Sequence, residues 1–174
     1  MKVILISGKA RSGKDTVASI MHTKLTQKKK KVLVTHYADL LKYICRNYFN
    51  WNGKKDEKGR AMLQYVGTDI IRKQNPDFWA NFVADMLGYF HENWDYVIIP
   101  DCRFPNEISV MTSRGFDATH LRVSRPNLVS TLTAEQQLHE SETALDGIEP
   151  DAYIINDGTR KDLEDAIVKW IKEN

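Results

Sequence analysis

The chain has 174 residues, 42% hydrophobic and 28% charged, a balance that suits one globular domain with a substantial core. Its 25 Lys and Arg against 23 Asp and Glu give a net charge of +2, too little to hold nucleic acid or an anionic membrane by bulk charge. The two cysteines, Cys45 and Cys102, lack metal-ligand spacing and form no disulfide framework; no apolar run reaches signal-peptide or membrane-spanning length, so a cytoplasmic location is expected.

In chain order, Val3–Ser7 reads as a buried strand. Lys14–Gln27 reads as a helix with Val17, Ile20, Met21 and Leu25 on one face, and Lys28–Lys31 as its solvated basic end. A second strand follows at Val32–His36, then helical patterns at 40–49, 58–73 and 77–92. Tyr96–Pro100 is a strand, 106–114 a helix, and His120–Val123 and Tyr153–Ile155 are two more strands. Lys161–Lys172 closes the chain as a helix with Leu163, Ile167, Trp170 and Ile171 inward. Strands separated by helices predict an α/β fold: a three-layer, doubly wound parallel sheet of about five strands, in a single domain over 1–174. The polar stretch 126–150 opens with Pro126-Asn127 and contains Asp146-Gly147, and it reads as a short mobile lid.

The densest signal is Gly8-Lys9-Ala10-Arg11-Ser12-Gly13-Lys14-Asp15-Thr16, between the first strand and the first helix. Glycines let the backbone curl until successive N–H groups face phosphate oxygens, and the helix amino terminus adds positive potential. Gly8, Ala10, Ser12 and Gly13 are therefore phosphate-cradle candidates, and Lys14 can reach the β- and γ-phosphates of ATP. Arg11 would stand near the transferring phosphoryl group, where charge stabilisation governs the rate. The general pattern puts Ser or Thr after the Lys; here Asp15 holds that place and Thr16 comes one later. Either Thr16 or Asp15, the latter through water, is the expected contact to Mg2+.

A second set of candidates follows the third strand. Asp101 ends that strand, where ligands bind in open α/β sheets, and would hold water-bound Mg2+ or the acceptor. Arg103 can clamp a phosphate bidentately, with Glu107 one helical turn on. The alternative is that Asp101 caps the following helix and Arg103 pairs with Glu107 on the surface. Arg60 and Trp79 are read either as a solvated and a core residue or as a phosphate contact and a pocket wall. Arg122 and Arg125 flank the end of the fourth strand and can close over ATP from the lid, which also carries His139, Ser141 and Glu142. Asn156-Asp157-Gly158 is a turn, or the loop on which adenine rests.

These segments resemble the phage-type deoxynucleoside monophosphate kinases. The likeness rests on Ser7-Gly8 with Arg11-Ser12-Gly13-Lys14-Asp15-Thr16, on Gly67-Thr68-Asp69 with Phe78-Trp79, and on Asp95–Arg103 with Glu107. Val123-Ser124-Arg125-Pro126 and Ile155-Asn156-Asp157-Gly158 complete it, in the same order. Asp after the loop Lys is a habit of this family. The resemblance implies a P-loop kinase with helical acceptor-binding residues over about 39–92 and a lid over 126–150. It implies ATP and Mg2+ as cosubstrates and a deoxynucleoside 5′-monophosphate as acceptor. By motif match, Lys42, Arg60, Gly67, Thr68, Trp79, Asp101, Arg103, Glu107 and Ser141 are the acceptor-site residues, and Lys14, Arg11, Asp15 and Arg125 the catalytic ones. Small nucleotides are the expected partners, without nucleic acid or membrane, and a homodimer is left open. Animal-type phosphomevalonate kinases share the Ser-Gly-Lys-Asp loop, the Asp-x-Arg strand end and the Ser-Glu lid motif, and are the alternative. A nucleotide switch without phosphoryl transfer is the alternative of another class.

Overall fold

The first apolar run becomes β1, Lys2–Ser7, in the computed structural model, which describes residues 1–174. Val3, Ile4, Leu5 and Ile6 are all fully buried. Successive side chains of a strand point to opposite faces, so Val3 and Leu5 enter one core while Ile4 and Ile6 enter another. A strand apolar on both faces must be covered on both, and it occupies the middle of the sheet.

The partners of β1 are β3 (Tyr96–Ile99) and β4 (Asp117–Ser124), both parallel. Outside them lie β2 (Val32–Val34) and β5 (Ala152–Ile155), giving the order β2-β3-β1-β4-β5. Two helices cover one face, α1 (Lys14–Gln27) and α8 (Arg160–Glu173). Val17, Met21, Leu25, Leu163, Ile167 and Trp170 pack there with Ile4, Ile6, Ile98 and Leu121. The other face carries α2 (Ala38–Tyr48), α4 (Phe78–Tyr89) and α5 (Pro105–Ser113). Leu41, Val83, Leu87 and Met111 meet Val3, Leu5, Val97 and Ile99. This is the expected three-layer, five-stranded parallel sheet.

Element boundaries depart from expectation where tertiary contacts intervene. β2 stops at Val34, and α2 begins at Ala38 because the Asp101 carboxylate accepts the first amides of that helix. The helix expected over 58–73 is two elements: α3 (Glu57–Gln64) and a π-helix, Tyr65–Arg72. A π-helix is rare and concentrates at functional sites. Within it, Gly67 lies flat on α2: a Cβ there would stand 2.6 Å from Leu41 Cδ2, and Trp79 Nε1 donates to the Gly67 carbonyl at 3.0 Å. β4 starts three residues early, at Asp117, because its outward polar residues interrupt the apolar run. The lid stretch contains two short helices, α6 (Ala134–Leu138) and α7 (Glu140–Thr143), capped by the Thr133 and His139 side chains. No helix is long and apolar enough to cross a membrane.

The two-faced burial of β1 predicts that Ile4→Ala and Leu5→Ala each lose about 2–5 kcal/mol, the usual cost of truncating a buried aliphatic. Urea unfolding of both variants measures it. Loss in only one of the pair would mean that one face of the sheet is open.

Candidate active site

The sheet positions the loop between β1 and α1 so that its shape follows from close approaches. Gly8 (φ +140°) and Gly13 (φ +105°) adopt backbone that side chains rarely tolerate. A Cβ on Gly8 would meet the Val123 carbonyl at 2.3 Å, and one on Gly13 would meet Asn156 Nδ2 at 2.5 Å. Arg11 is also left-handed (φ +63°), with its side chain exposed. Ser12 Oγ is buried without a hydrogen-bond partner, a donor that a phosphate oxygen would satisfy. Lys14 Nζ curls back to donate to the carbonyls of Gly8 (2.6 Å) and Lys9 (2.8 Å). Burial, and then the Arg103 charge, lower its pKa to about 8. Asn156 Nδ2 donates to the Ser12 carbonyl at 2.8 Å, so Asn156 braces the loop from beneath. Asp157 and Gly158 are exposed, and Gly158 packs beside Asp162 of the Thr159–Asp162 capping box.

Two cavities flank this loop. The first, of about 360 Å³, is lined by Ala10, Arg11, Lys14 and Asp15, then by Lys42, Arg60, Gly67, Thr68 and Trp79, and by Asp101, Arg103, Glu107 and Ser141. Every expected acceptor residue therefore faces one space. Seven Lys and Arg line it (Arg11, Lys14, Lys42, Lys55, Arg60, Arg72, Arg103), with His36 beside them, against four carboxylates (Asp15, Asp101, Glu107, Glu142). That excess suits an anion. The second cavity, of about 490 Å³, runs from Ser7–Ala10 and Ser12 beneath Arg122, Ser124, Arg125 and Leu128 to Glu142 and Asp146. Arg125 is exposed on this wall. Asn156, Asp157 and Gly158 line neither cavity, and neither does Thr16, which is exposed on α1.

Asp101 and Glu107, besides lining this cavity, bond the protein itself. Asp101 caps α2, not the helix that follows it: its two oxygens accept from Tyr37 N (2.9 Å) and Ala38 N (3.0 Å). Glu107 is buried and accepts from the amides of Arg103 (2.6 Å) and Phe104 (3.1 Å) and from Arg72 Nη2 (2.7 Å). Burial pushes Glu107 up to about 7, against the pull of the Arg72 charge. Arg72 stacks on Phe104, 3.7 Å from the ring centroid, and reaches Asn106 Oδ1 at 3.1 Å. The sequence reading missed Arg72. Its signal was the stripe Gln64, Thr68, Arg72 at intervals of four, all facing the first cavity.

The guanidinium of Arg103, unlike its backbone amide, does not bond the Glu107 side chain. Its guanidinium donates to Glu142 Oε1 and to the Ser141 carbonyl (3.0 Å). The other Glu142 oxygen accepts from Ala10 N at 3.2 Å. Lys9 Nζ reaches Asp146 Oδ1 (2.6 Å) and the Glu142 carbonyl (2.7 Å), so the α7 segment is docked on the loop. Arg122 is committed to the backbone, donating to the carbonyls of Leu145 (2.6 Å) and Ile148 (2.7 Å).

Beside Lys14, Asp15 Oδ1 lies 3.8 Å from His36 Nε2, while His36 Nδ1 lies 3.3 Å from Asp39 Oδ2. The carboxylates of Asp15 and Asp39 hold the imidazole protonated, raising it to about 9, and His36 in turn lowers Asp15. No cluster of three protein ligands gathers here. Mg2+ keeps several waters and takes one or two carboxylates plus substrate phosphates. Asp15, exposed at the first turn of α1 and lining the first cavity, fits that demand better than Thr16.

Two consequences can be measured. Arg72→Met strands Glu107 where it is ionised, above its pKa of about 7, and should cost about 3–5 kcal/mol in urea unfolding at pH 9, less at pH 6 where the carboxyl takes a proton; a loss under 1 kcal/mol at pH 9 would contradict the pairing. His36 binds its proton more tightly folded than unfolded, where its pKa is about 6.5. Its stabilisation is thus complete below pH 6.5 and disappears as pH rises through about 9. Wild type should lose more stability than His36→Gln between pH 6 and pH 9.5; parallel curves would refute this.

The comparisons with known proteins agree with this geometry. A family model described as deoxynucleotide monophosphate kinase matches residues 41–167. The deoxynucleotide monophosphate kinase of Enterobacteria phage T4 is 32% identical over 115 residues, 65% of this chain and 45% of that protein. The chain thus spans less than half the length of that relative. A protein of Acanthamoeba polyphaga mimivirus is 26% identical over an alignment of 198 positions, covering 98% of this chain and 96% of its own. Among solved structures, dephospho-CoA kinase from Campylobacter jejuni superposes with a TM-score of 0.54 at 16% identity, over 99% of this chain and 97% of that one, a likeness of fold. By the family match across most of its length, the chain belongs to the deoxynucleotide monophosphate kinase family.

Proposed function

We propose that the chain transfers the γ-phosphate of ATP to a deoxynucleoside 5′-monophosphate, with Mg2+, giving ADP and the diphosphate. The observation that carries this reading is that two cavities meet at one phosphate loop: Ala10, Arg103, Ser141 and Glu142 line both. A donor in the second cavity and an acceptor in the first would face each other across Ala10 and Lys14. The family match and the excess of cations in the first cavity favour a phosphorylated nucleotide as acceptor.

In this reading the loop amides, Ser12 Oγ and Lys14 bind the β- and γ-phosphates. Lys14 must leave the carbonyls of Gly8 and Lys9 to do so, exchanging neutral acceptors for charged ones. Arg11, and Arg125 from the lid side, spread the charge that develops in transfer. Lys42, Arg60 and Arg103 hold the acceptor phosphate in line. Asp15 would hold Mg2+ through water, and the ion would supply positive charge against that of the phosphates. The acceptor phosphate, with a second pKa near 6, is already ionised at neutral pH, so no strong general base is required. Trp79 and Phe104 wall the first cavity with aromatic surface suited to a base. Two free, buried cysteines accord with a reducing, cytoplasmic setting.

The test is ADP formation from ATP with a panel of deoxynucleoside monophosphates and phosphomevalonate. Stimulation by a nucleotide supports the reading, stimulation by phosphomevalonate alone replaces the acceptor, and acceptor-independent turnover alone points to a nucleotide switch. Lys14→Ala should lower the stimulated rate by at least about 10²–10³-fold with the fold intact by circular dichroism. Activity within a few-fold of wild type would remove the loop from the mechanism.

A further inference from the structure

Glu142 is placed oddly for a phosphate site. Its side chain is only 8% exposed, yet it stands in the wall shared by both cavities. One oxygen takes the Ala10 amide, a cradle donor, and the other takes the guanidinium of Arg103. A carboxylate and a phosphate make the same demand on such donors: charge-assisted N–H bonds from an amide and a guanidinium fork. The segment bearing Glu142 is fastened to the loop by Lys9, through Asp146 and the Glu142 carbonyl.

We propose that Glu142 is an internal stand-in for phosphate, holding the loop and Arg103 together while the site is empty and yielding both donors when a phosphate arrives. The inference rests on the kinase reading above. In the empty protein the lid segment is shut on the loop by the carboxylate. An incoming triphosphate competes for the Ala10 amide, and an acceptor phosphate competes for Arg103. Two like-charged occupants cannot share these donors cheaply, so the carboxylate is displaced. Full release requires phosphate on both sides, because each oxygen has its own donor. Glu142 therefore raises the ATP concentration needed to fill the donor cavity alone, and it delays exposure of the γ-phosphate until the acceptor is present.

The decisive variant is Glu142→Gln, which keeps the shape and removes the charge. ATP and its non-hydrolysable imido analogue are titrated calorimetrically against wild type and variant with no acceptor present. The variant should bind both about tenfold or more tightly, because the competing charge-assisted bond is gone. ATP hydrolysis without acceptor should rise in the variant relative to its acceptor-stimulated rate. A purely structural role for Glu142 predicts the opposite, weaker nucleotide binding from a loosened loop. Unchanged or weaker affinity overturns the proposal. Absence of ATP binding by wild type and variant alike overturns the kinase reading instead. Should Glu142→Gln fail to fold, Glu142→Asp serves. It retains the charge but cannot span both donors, so tighter ATP binding supports the proposal, and unchanged or weaker binding refutes it.

Discussion

Glu107 carries its carboxylate into the interior, out of reach of solvent. It holds the backbone of Arg103 and Phe104 just beyond β3, and its other oxygen holds Arg72 at the end of the π-helix. Its own carbonyl accepts from the Tyr37 hydroxyl at 2.9 Å, ahead of α2. Three separate stretches of chain are thus fixed to one residue. The desolvation of that carboxylate is offset only if all its donors are present. Loss of any one leaves a charge that the interior cannot solvate. The direction in which Arg103 leaves the strand, the position of Phe104 and the aim of the π-helix into the first cavity all follow from this arrangement.

The sheet was legible because its physics is local. Val3–Ile6, Val97–Ile99 and the helix face Val17, Met21, Leu25 carry periodicities that survive without knowledge of partners. The phosphate loop was legible because its geometry is dictated by glycines and a single Lys at fixed spacing. What stayed hidden depended on residues far apart in the chain. Asp101 announces a ligand by its place at a strand end, yet the nearest unsatisfied donors are the amides of α2, and it caps them. Arg103 and Glu107 stand one turn apart and invite pairing, but Glu142, 39 residues away, reaches the guanidinium first. Asn156 reads in the sequence as a turn or an adenine loop, and nothing local announces that its side chain braces the phosphate loop. The π-helix leaves no mark in composition; it arises where Gly67 must lie against Leu41 and yield its carbonyl to Trp79.

The polar residues of the lid stretch are not spread evenly over solvent. Lys9, Ala10 and Arg103 receive Asp146 and Glu142, while Arg122 is spent on the carbonyls of Leu145 and Ile148. Arg122 therefore acts as a hinge anchor, tying the carboxyl end of the stretch to β4, and Arg125 is left free of such bonds on the cavity wall.

The brace from Asn156 has a consequence for how the protein comes into being. The phosphate loop is written in the first 16 residues, but the side chain that supports it lies 144 positions later than the carbonyl it holds. Gly8 likewise takes its place against the carbonyl of Val123, and β1 has no strand neighbours before β3 is made. A ribosome therefore makes this loop well before it makes the residues that shape it. Contacts of such long range form slowly, because the chain between them must be closed before they contribute. The loop takes its final shape only after Val123 and Asn156 have joined the chain, so its assembly is a late event of folding.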